Sequence, residues 1–384
     1  MFDFYLSYKW LHWRRPAAAA AALAPGSSLL QALPAGIERF FIPTSGGGEI
    51  EILYAQPRCG RGNETRRSAI GTTGDDVSPS PSPLFFAHGG MGGAFIWLEY
   101  MQFFSARGIP CYAVSTRGHG NSWYPSYLRM VYGTTKRMLA DDLVAGILWA
   151  QEREGGGKEV VLVGHSSGGG LSQFILSEQD VKVKGLALIG AVPGLGSASV
   201  YGNWCLLDPW FLLRMLFHGG HPNSPLSHPA LTRKVFFSEA VSDAYMESFQ
   251  RRMNTYESLL WPLGMFRAFV NPQKLLEQIS SFSSRGTGQQ RILVLFGGGD
   301  KIMTFPIMEK LANTYRKAIS SLAGQKKLDD RVDDTVENIP GEGDQDTAGQ
   351  GVRFCVVTGA GHHVQNDVNW EVGAKKLLTF YEQL

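Results

Sequence analysis

Val160-Val161-Leu162-Val163-Gly164-His165-Ser166-Ser167-Gly168-Gly169-Gly170 is the stretch that decides the fold. Its first four residues are apolar and mostly β-branched and read as a buried strand. Leu171-Ser172-Gln173-Phe174-Ile175-Leu176 follows and reads as a helix. Between them lies G-x-S-x-G, a sharp strand-to-helix turn with a serine at its apex. Gly164 and Gly168 suit a bend too tight for a Cβ. The turn sets the Ser166 hydroxyl at the C-terminal edge of a parallel sheet. The helix N-terminus beside it favours negative charge. The competing reading is a phosphate-binding loop, but G-x-x-x-x-G-K-[ST] needs a lysine that does not follow these glycines.

Three further segments fall where this turn needs them. Upstream, Pro83-Leu84-Phe85-Phe86-Ala87 reads as a strand running into His88-Gly89-Gly90-Met91-Gly92-Gly93. A tetrahedral intermediate needs two backbone N–H groups aimed at its oxyanion. Ser167, after the nucleophile, supplies one, and the glycine-rich loop supplies the other from Gly90, with Met91 as the alternative. G-x-G-x-x-G cannot be threaded through these glycines, which excludes a dinucleotide fingerprint. Downstream, the strand Arg291-Ile292-Leu293-Val294-Leu295-Phe296 ends in Gly297-Gly298-Gly299-Asp300. An acid just past a strand end can reach a histidine and hold its tautomer. Near the C-terminus, the strand Val352-Arg353-Phe354-Cys355-Val356-Val357 leads to Gly359-Ala360-Gly361-His362-His363. The chain order Ser, Asp, His suits a serine nucleophile on an α/β sheet.

On these residues the chain resembles the α/β-hydrolase superfamily, in the serine branch with a helical cap, over roughly residues 37–384. The resemblance implies an α/β fold with a mostly parallel eight-stranded sheet flanked by helices. It matches Ser166 to the nucleophile, Asp300 to the acid, His362 to the base, and Gly90 and Ser167 to the oxyanion donors. His363 stands where an aromatic or apolar residue is commoner, so the identity of the base stays open between the two histidines. Ser115-Thr116-Arg117-Gly118-His119-Gly120 is another family pattern, and Arg117 and His119 read as structural. The chemistry implied is cleavage of an ester, lactone or thioester through an acyl-enzyme. An acyltransferase, a carbon–carbon bond hydrolase and a non-catalytic ligand-binding protein of the same fold stay open beside it. A fold alone does not fix function.

Composition agrees with one large core. The chain has 384 residues, 44% of them hydrophobic, and a formal net charge of +2. Such a balance points to no nucleic-acid partner. Cys59, Cys111, Cys205 and Cys355 lack paired spacing, which suits a reducing compartment and a cytoplasmic location. No metal-ligand motif appears and no cofactor is expected; His218, His221 and His228 lie isolated in a Pro/Gly-rich stretch. Residues 1–36 form an N-terminal extension whose start, Met1 to Arg15, is aromatic and basic. It reads either as a helix packed on the fold or as a targeting or interfacial segment with peripheral membrane contact. The oligomeric state is not legible.

The core is expected at residues 37–193 and 286–384. Gly36 to Thr44 and Glu49 to Ala55 read as an antiparallel pair, and 58–82 as a surface loop. Residues 194–285 lose the strand–helix alternation and are rich in large apolars, including Trp204, Phe211, Met215 and Trp261. They are expected to form a cap lining a pocket for neutral, lipophilic substrates with medium or bulky acyl groups. Residues 321–351, polar and acidic, read as a disordered insertion. Asp367 is expected to cap the last helix, which includes Val372 to Tyr381.

Overall fold

The computed structural model describes residues 4–16, 32–58, 81–280, 290–325, 335–340 and 345–384. The strands are β1 (Ile37–Pro43), β2 (Glu49–Ala55), β3 (Leu84–Ala87), β4 (Cys111–Ser115), β5 (Val161–His165), β6 (Gly185–Ile189), β7 (Ile292–Gly297), β8 (Val336–Asn338), β9 (Thr347–Gly349) and β10 (Val352–Val357). They form one sheet in the order β1-β2-β4-β3-β5-β6-β7-β10-β9-β8. From β4 through β10 the pairings are parallel, with Leu84 opposite Val161 and Val352 opposite Ile292. Strands β3 to β7 are buried throughout, as strands covered on both faces must be.

The helices of the core are α1 (Leu98–Ser105), α2 (Tyr127–Gly133), α3 (Lys136–Arg153) and α4 (Ser166–Ser177). The cap contributes α5 (Ala198–Leu207), α6 (Phe211–Phe217), α7 (Pro229–Phe236), α8 (Asp243–Arg252), α9 (Leu260–Leu263) and α10 (Pro272–Leu276). The chain returns to the core with α11 (Phe305–Gly324) and α12 (Trp370–Tyr381). Pairs of βα units of this kind carry each motif to the same sheet edge.

The sheet is wider than the eight strands expected. The insertion read as disordered holds the end of α11, and β8 and β9; β9 pairs antiparallel with β10, and β8 antiparallel with β9. Its residues 326–334 and 341–344 lie outside the described residues, as do Cys59 and nearly all of the 58–82 loop. An edge strand offers unpaired N–H and C=O groups, and pairing them needs no apolar side chains. Asp346 fixes the addition: its carboxylate accepts from the Val356 N–H at 2.9 Å and from Lys376 Nζ at 2.5 Å.

Arg117 holds a structural position, as read. It is fully buried, and its guanidinium and backbone N–H donate to Asp142 of α3 at 2.6 to 2.9 Å. Residues 4–16 are not a helix. They lie along the cap: Arg214 Nε donates to the Tyr5 carbonyl at 2.7 Å, and Tyr8 donates to the Phe217 carbonyl at 2.8 Å. No helix among the described residues is long and apolar enough to cross a membrane.

Asp142→Ala would leave Arg117 as a buried cation without its carboxylate. The expected loss is about 3–5 kcal/mol of unfolding free energy, read from urea titrations. A loss below about 1 kcal/mol would mean that water reaches Arg117.

Candidate active site

Strand β5 delivers Ser166 into a strained backbone with φ of 52°. A non-glycine residue there must be held by its surroundings. Neighbouring backbone holds it. A Cβ on Gly164 would come within 2.6 Å of the Gly169 Cα, and one on Gly168 within 2.1 Å of the His88 carbonyl oxygen. The two glycines therefore let the turn close against its own helix and against the loop after β3.

Three expected residues meet at this edge. Asp300 follows β7, and its Oδ1 accepts from the N–H groups of Ile302 and Met303 at 2.9 and 2.8 Å. Its Oδ2 lies 2.7 Å from His362 Nδ1, and His362 Nε2 lies 2.9 Å from Ser166 Oγ. The carboxylate can only accept, so Nδ1 carries the proton and Nε2 is free to take one from the serine. His363, one residue on, turns away. It is packed against Phe236, Phe237 and Phe249, and its Nδ1 lies 3.3 Å from Asn366 Oδ1. Burial, with the adjacent imidazole of His362, holds it well below the usual imidazole pKa.

Ser166 lines a pocket of about 160 Å³ beneath the cap. Its walls include Val200, Trp204, Phe211 and Met215 from α5 and α6, with Trp261 and Met303 opposite. The model of the alpha/beta hydrolase family matches residues 84–368, which span all of these motifs. The chain belongs to the alpha/beta hydrolase family. At that level it is a hydrolase.

Solved structures share the fold at low identity. A highly thermostable carboxyl esterase from Bacillus coagulans, in complex with glycerol, is 13% identical with a TM-score of 0.57, over 91% of this chain and 99% of that one. A bromoperoxidase from Bacillus anthracis is 16% identical with a TM-score of 0.54, over 90% and 100%. The thioesterase domain from the curacin biosynthetic pathway is 16% identical with a TM-score of 0.51, over 89% and 99%. Likeness at this level carries the family's architecture and leaves the substrate open.

The loop after β3 separates the two candidate oxyanion donors. The Gly90 N–H points to Ser167 Oγ at 3.2 Å, at the edge of the pocket. The Met91 N–H is committed elsewhere, to Glu257 Oε2 at 2.8 Å. The Ser167 N–H opens α4 and has no carbonyl one turn back to bond. Gly90 and Ser167 thus remain the pair facing the pocket.

Glu257 was not singled out by the sequence. It lies in the cap, without a motif around it, and its role is visible only once the chain is folded. Its Oε2 also accepts from His119 Nε2 at 2.9 Å, and its Oε1 accepts from the Ser258 N–H at 2.8 Å. His119 Nδ1 lies 3.0 Å from the Arg117 carbonyl, so both ring nitrogens face acceptors and the imidazolium fits the site. Burial opposes charge on both partners. The opposite charge outweighs it, raising the pKa of His119 and lowering that of Glu257. His88, beneath the loop, stays neutral: burial and the nearby His119 push it down to about 3.

Asp367 departs from expectation. Asp367 does not cap α12. It accepts from Gly361 N–H at 3.0 Å and from the Ser238 N–H and hydroxyl at 2.8 and 2.6 Å, tying the histidine loop to the cap. His218, His221 and His228 seat the N-terminal segment, against Tyr8, Trp13 and Tyr5 respectively. Among the described residues no three His, Cys, Asp or Glu side chains form a metal-sized cluster.

His362→Ala should lower ester turnover about as far as loss of Ser166 itself, because the two act as a unit. His363→Ala should chiefly lower the thermal midpoint; equal losses of turnover in both variants would refute the assignment of the base. Glu257→Ala should lower kcat by about tenfold or more with little change in KM, since the handle on the oxyanion loop is gone. Glu257→Gln, which keeps an acceptor for Met91, should fall between. In that variant the lost stability should be greatest between the ordinary carboxylate and imidazole values of 4.5 and 6.5. It should shrink as pH rises through the raised pKa of His119, and as pH falls through the lowered pKa of Glu257. A difference flat from pH 4 to 10 would show that the pair is not ionised.

Proposed function

We propose that this chain is a serine esterase. It cleaves neutral, lipophilic carboxylic esters, lactones or thioesters through an acyl-enzyme on Ser166. The observation that carries this reading is the line Asp300–His362–Ser166, at 2.7 and 2.9 Å, whose serine lies in the wall of a largely apolar pocket.

The chemistry follows from the geometry. Ser166 Oγ attacks the substrate carbonyl carbon, and His362 Nε2 takes its proton. Asp300 keeps the ring in the required tautomer and balances the charge that forms on it. The carbonyl oxygen becomes an oxyanion and takes hydrogen bonds from the Gly90 and Ser167 N–H groups. To do so, Gly90 exchanges its bond to Ser167 Oγ for the stronger acceptor. The proton on His362 passes to the leaving oxygen or sulfur, and the alcohol or thiol departs. Water enters, gives a proton to His362 and attacks the acyl carbon. The second oxyanion collapses, the proton returns to Ser166, and the acid leaves.

The pocket sets the substrate. Its 160 Å³ is close to the roughly 150 Å³ of an engineered apolar cavity that takes up benzene. Acyl groups of that size fit within the pocket. Glu257 places a carboxylate on the pocket wall, which disfavours an anionic acyl tail. Each buried methylene contributes about 0.8 kcal/mol. From acetate through hexanoate, kcat/KM on p-nitrophenyl esters should therefore rise by about fourfold per carbon at most. Ser166→Ala should abolish the reaction at every length. A profile that peaks at acetate would overturn the substrate class, and turnover within tenfold of wild type in Ser166→Ala would overturn the mechanism.

A further inference from the structure

Helix α6, Phe-Leu-Leu-Arg-Met-Leu-Phe, has two apolar faces. Phe211 and Met215, one turn apart, line the pocket over Ser166. Leu212 and Leu216, on the next stripe, are 68% and 74% exposed, and Leu206 at the end of α5 is 78% exposed. Single exposed leucines are ordinary on a protein surface. These are joined to others by the N-terminal segment. The Phe4 ring meets Trp210 and Phe217 edge-on at 5.6 and 6.2 Å, and Phe4, Tyr8 and Phe217 are themselves exposed. The described residues thus present one apolar and aromatic face, directly behind the helix that roofs the pocket. A face of that extent marks a surface meant to be covered.

Charge says what covers it. Residues 4–16 contain no acid, and residues 195–235 contain one, Asp208. Asp208 is buried and paired with Arg214. The same two stretches carry Lys9, Arg14, Arg15 and Lys234, beside Arg233, which is ion-paired with Asp243. Carboxylates begin at Glu239, and Glu239, Asp243 and Glu247 share a hollow at one flank with four cations, Lys9, Arg233, Lys234 and Lys301. A symmetric pairing of two copies through this face would set cations against cations. A bilayer with anionic headgroups answers both features: its acyl boundary takes the leucines and aromatic rings, and its surface attracts the basic residues.

We propose that α5, α6 and the N-terminal segment form a docking face for an anionic lipid surface, lying in its plane without crossing it. Docking would place the outer stripe of α6 in lipid and its inner stripe over Ser166. A lipophilic substrate would then enter past α6 without passing through bulk water. The docking rests on the surface alone and does not require the esterase reading.

The test uses the full chain carrying Ser166→Ala, which cannot consume lipid. Its co-sedimentation is measured with vesicles of phosphatidylcholine alone and with 30% phosphatidylserine. Binding to the mixed vesicles should be severalfold tighter than to neutral ones and should weaken with salt. Leu212→Asp/Leu216→Asp on the same background should lower that binding by on the order of tenfold or more. The pair placed in the Ser166 chain should leave hydrolysis of a water-soluble p-nitrophenyl ester intact, showing a folded protein. Absence of sedimentation overturns the proposal, as does binding unchanged by the double substitution. Equal binding to neutral vesicles overturns the anionic assignment. A dimer by light scattering that the double substitution abolishes, with no vesicle binding, would make the face an interface between copies. A Leu212→Cys thiol closed to maleimide in the lipid-free chain would show the face covered by the chain itself, and would equally overturn it.

Discussion

The contact between the β5–α4 turn and the loop after β3 is the constraint on which the rest of the site depends. Gly168 packs so closely on the His88 carbonyl that no side chain fits between them. That approach sets the Ser167 N–H and the Gly90 N–H at the edge of one pocket. It also sets the strained φ of Ser166, which raises its hydroxyl toward His362. Loosening the turn would separate Ser166, His362 and the Gly90 and Ser167 N–H groups together. Histidines pack the region around it. His88 and His165 are fully enclosed and kept neutral by burial, so they add shape without charge. The charged pair His119–Glu257 stands at the rim, where it holds the loop by Met91.

Much of this was legible in the sequence because the chemistry is written in short motifs at strand ends. Strands β3, β5 and β7 are largely apolar runs, as is β10 apart from Arg353, and each leads into a glycine-containing turn that bears a polar residue. Ser166, Asp300 and His362 each lie in such a turn, so their meeting at one sheet edge follows from parallel strands. The sequence pointed to His362 with His363 left as a minor alternative, because adjacent residues share a motif, and only the fold shows that His363 turns away. Gly90 over Met91 needed the partner of Met91, Glu257, which lies 166 residues away in the cap. Asp367 was misread for a related reason. A carboxylate before a helix is usually a cap, and only the folded chain shows Ser238 and Gly361 reaching it first. Strands β8 and β9 escaped because edge pairing uses backbone groups and leaves little trace in hydropathy.

The cap is therefore more than a cover. Through Glu257 it grips the loop after β3, through Asp367 and Ser238 it grips the histidine loop, and through α5 and α6 it walls the pocket. Displacement of the cap would alter both loops beside Ser166 as well as the pocket volume. The family's fold supplies the sheet edge; this chain's own cap supplies the pocket that sits on it.

The central claim is that Ser166, and no other serine of the G-H-S-S-G turn, is the nucleophile. Peptide mass spectrometry after treatment with a fluorophosphonate tests it most directly, because the reagent leaves its mass on the attacking atom. The account predicts one adduct, on Ser166, lost when His362 is replaced. An adduct on Ser167, or none on a folded protein, would contradict it.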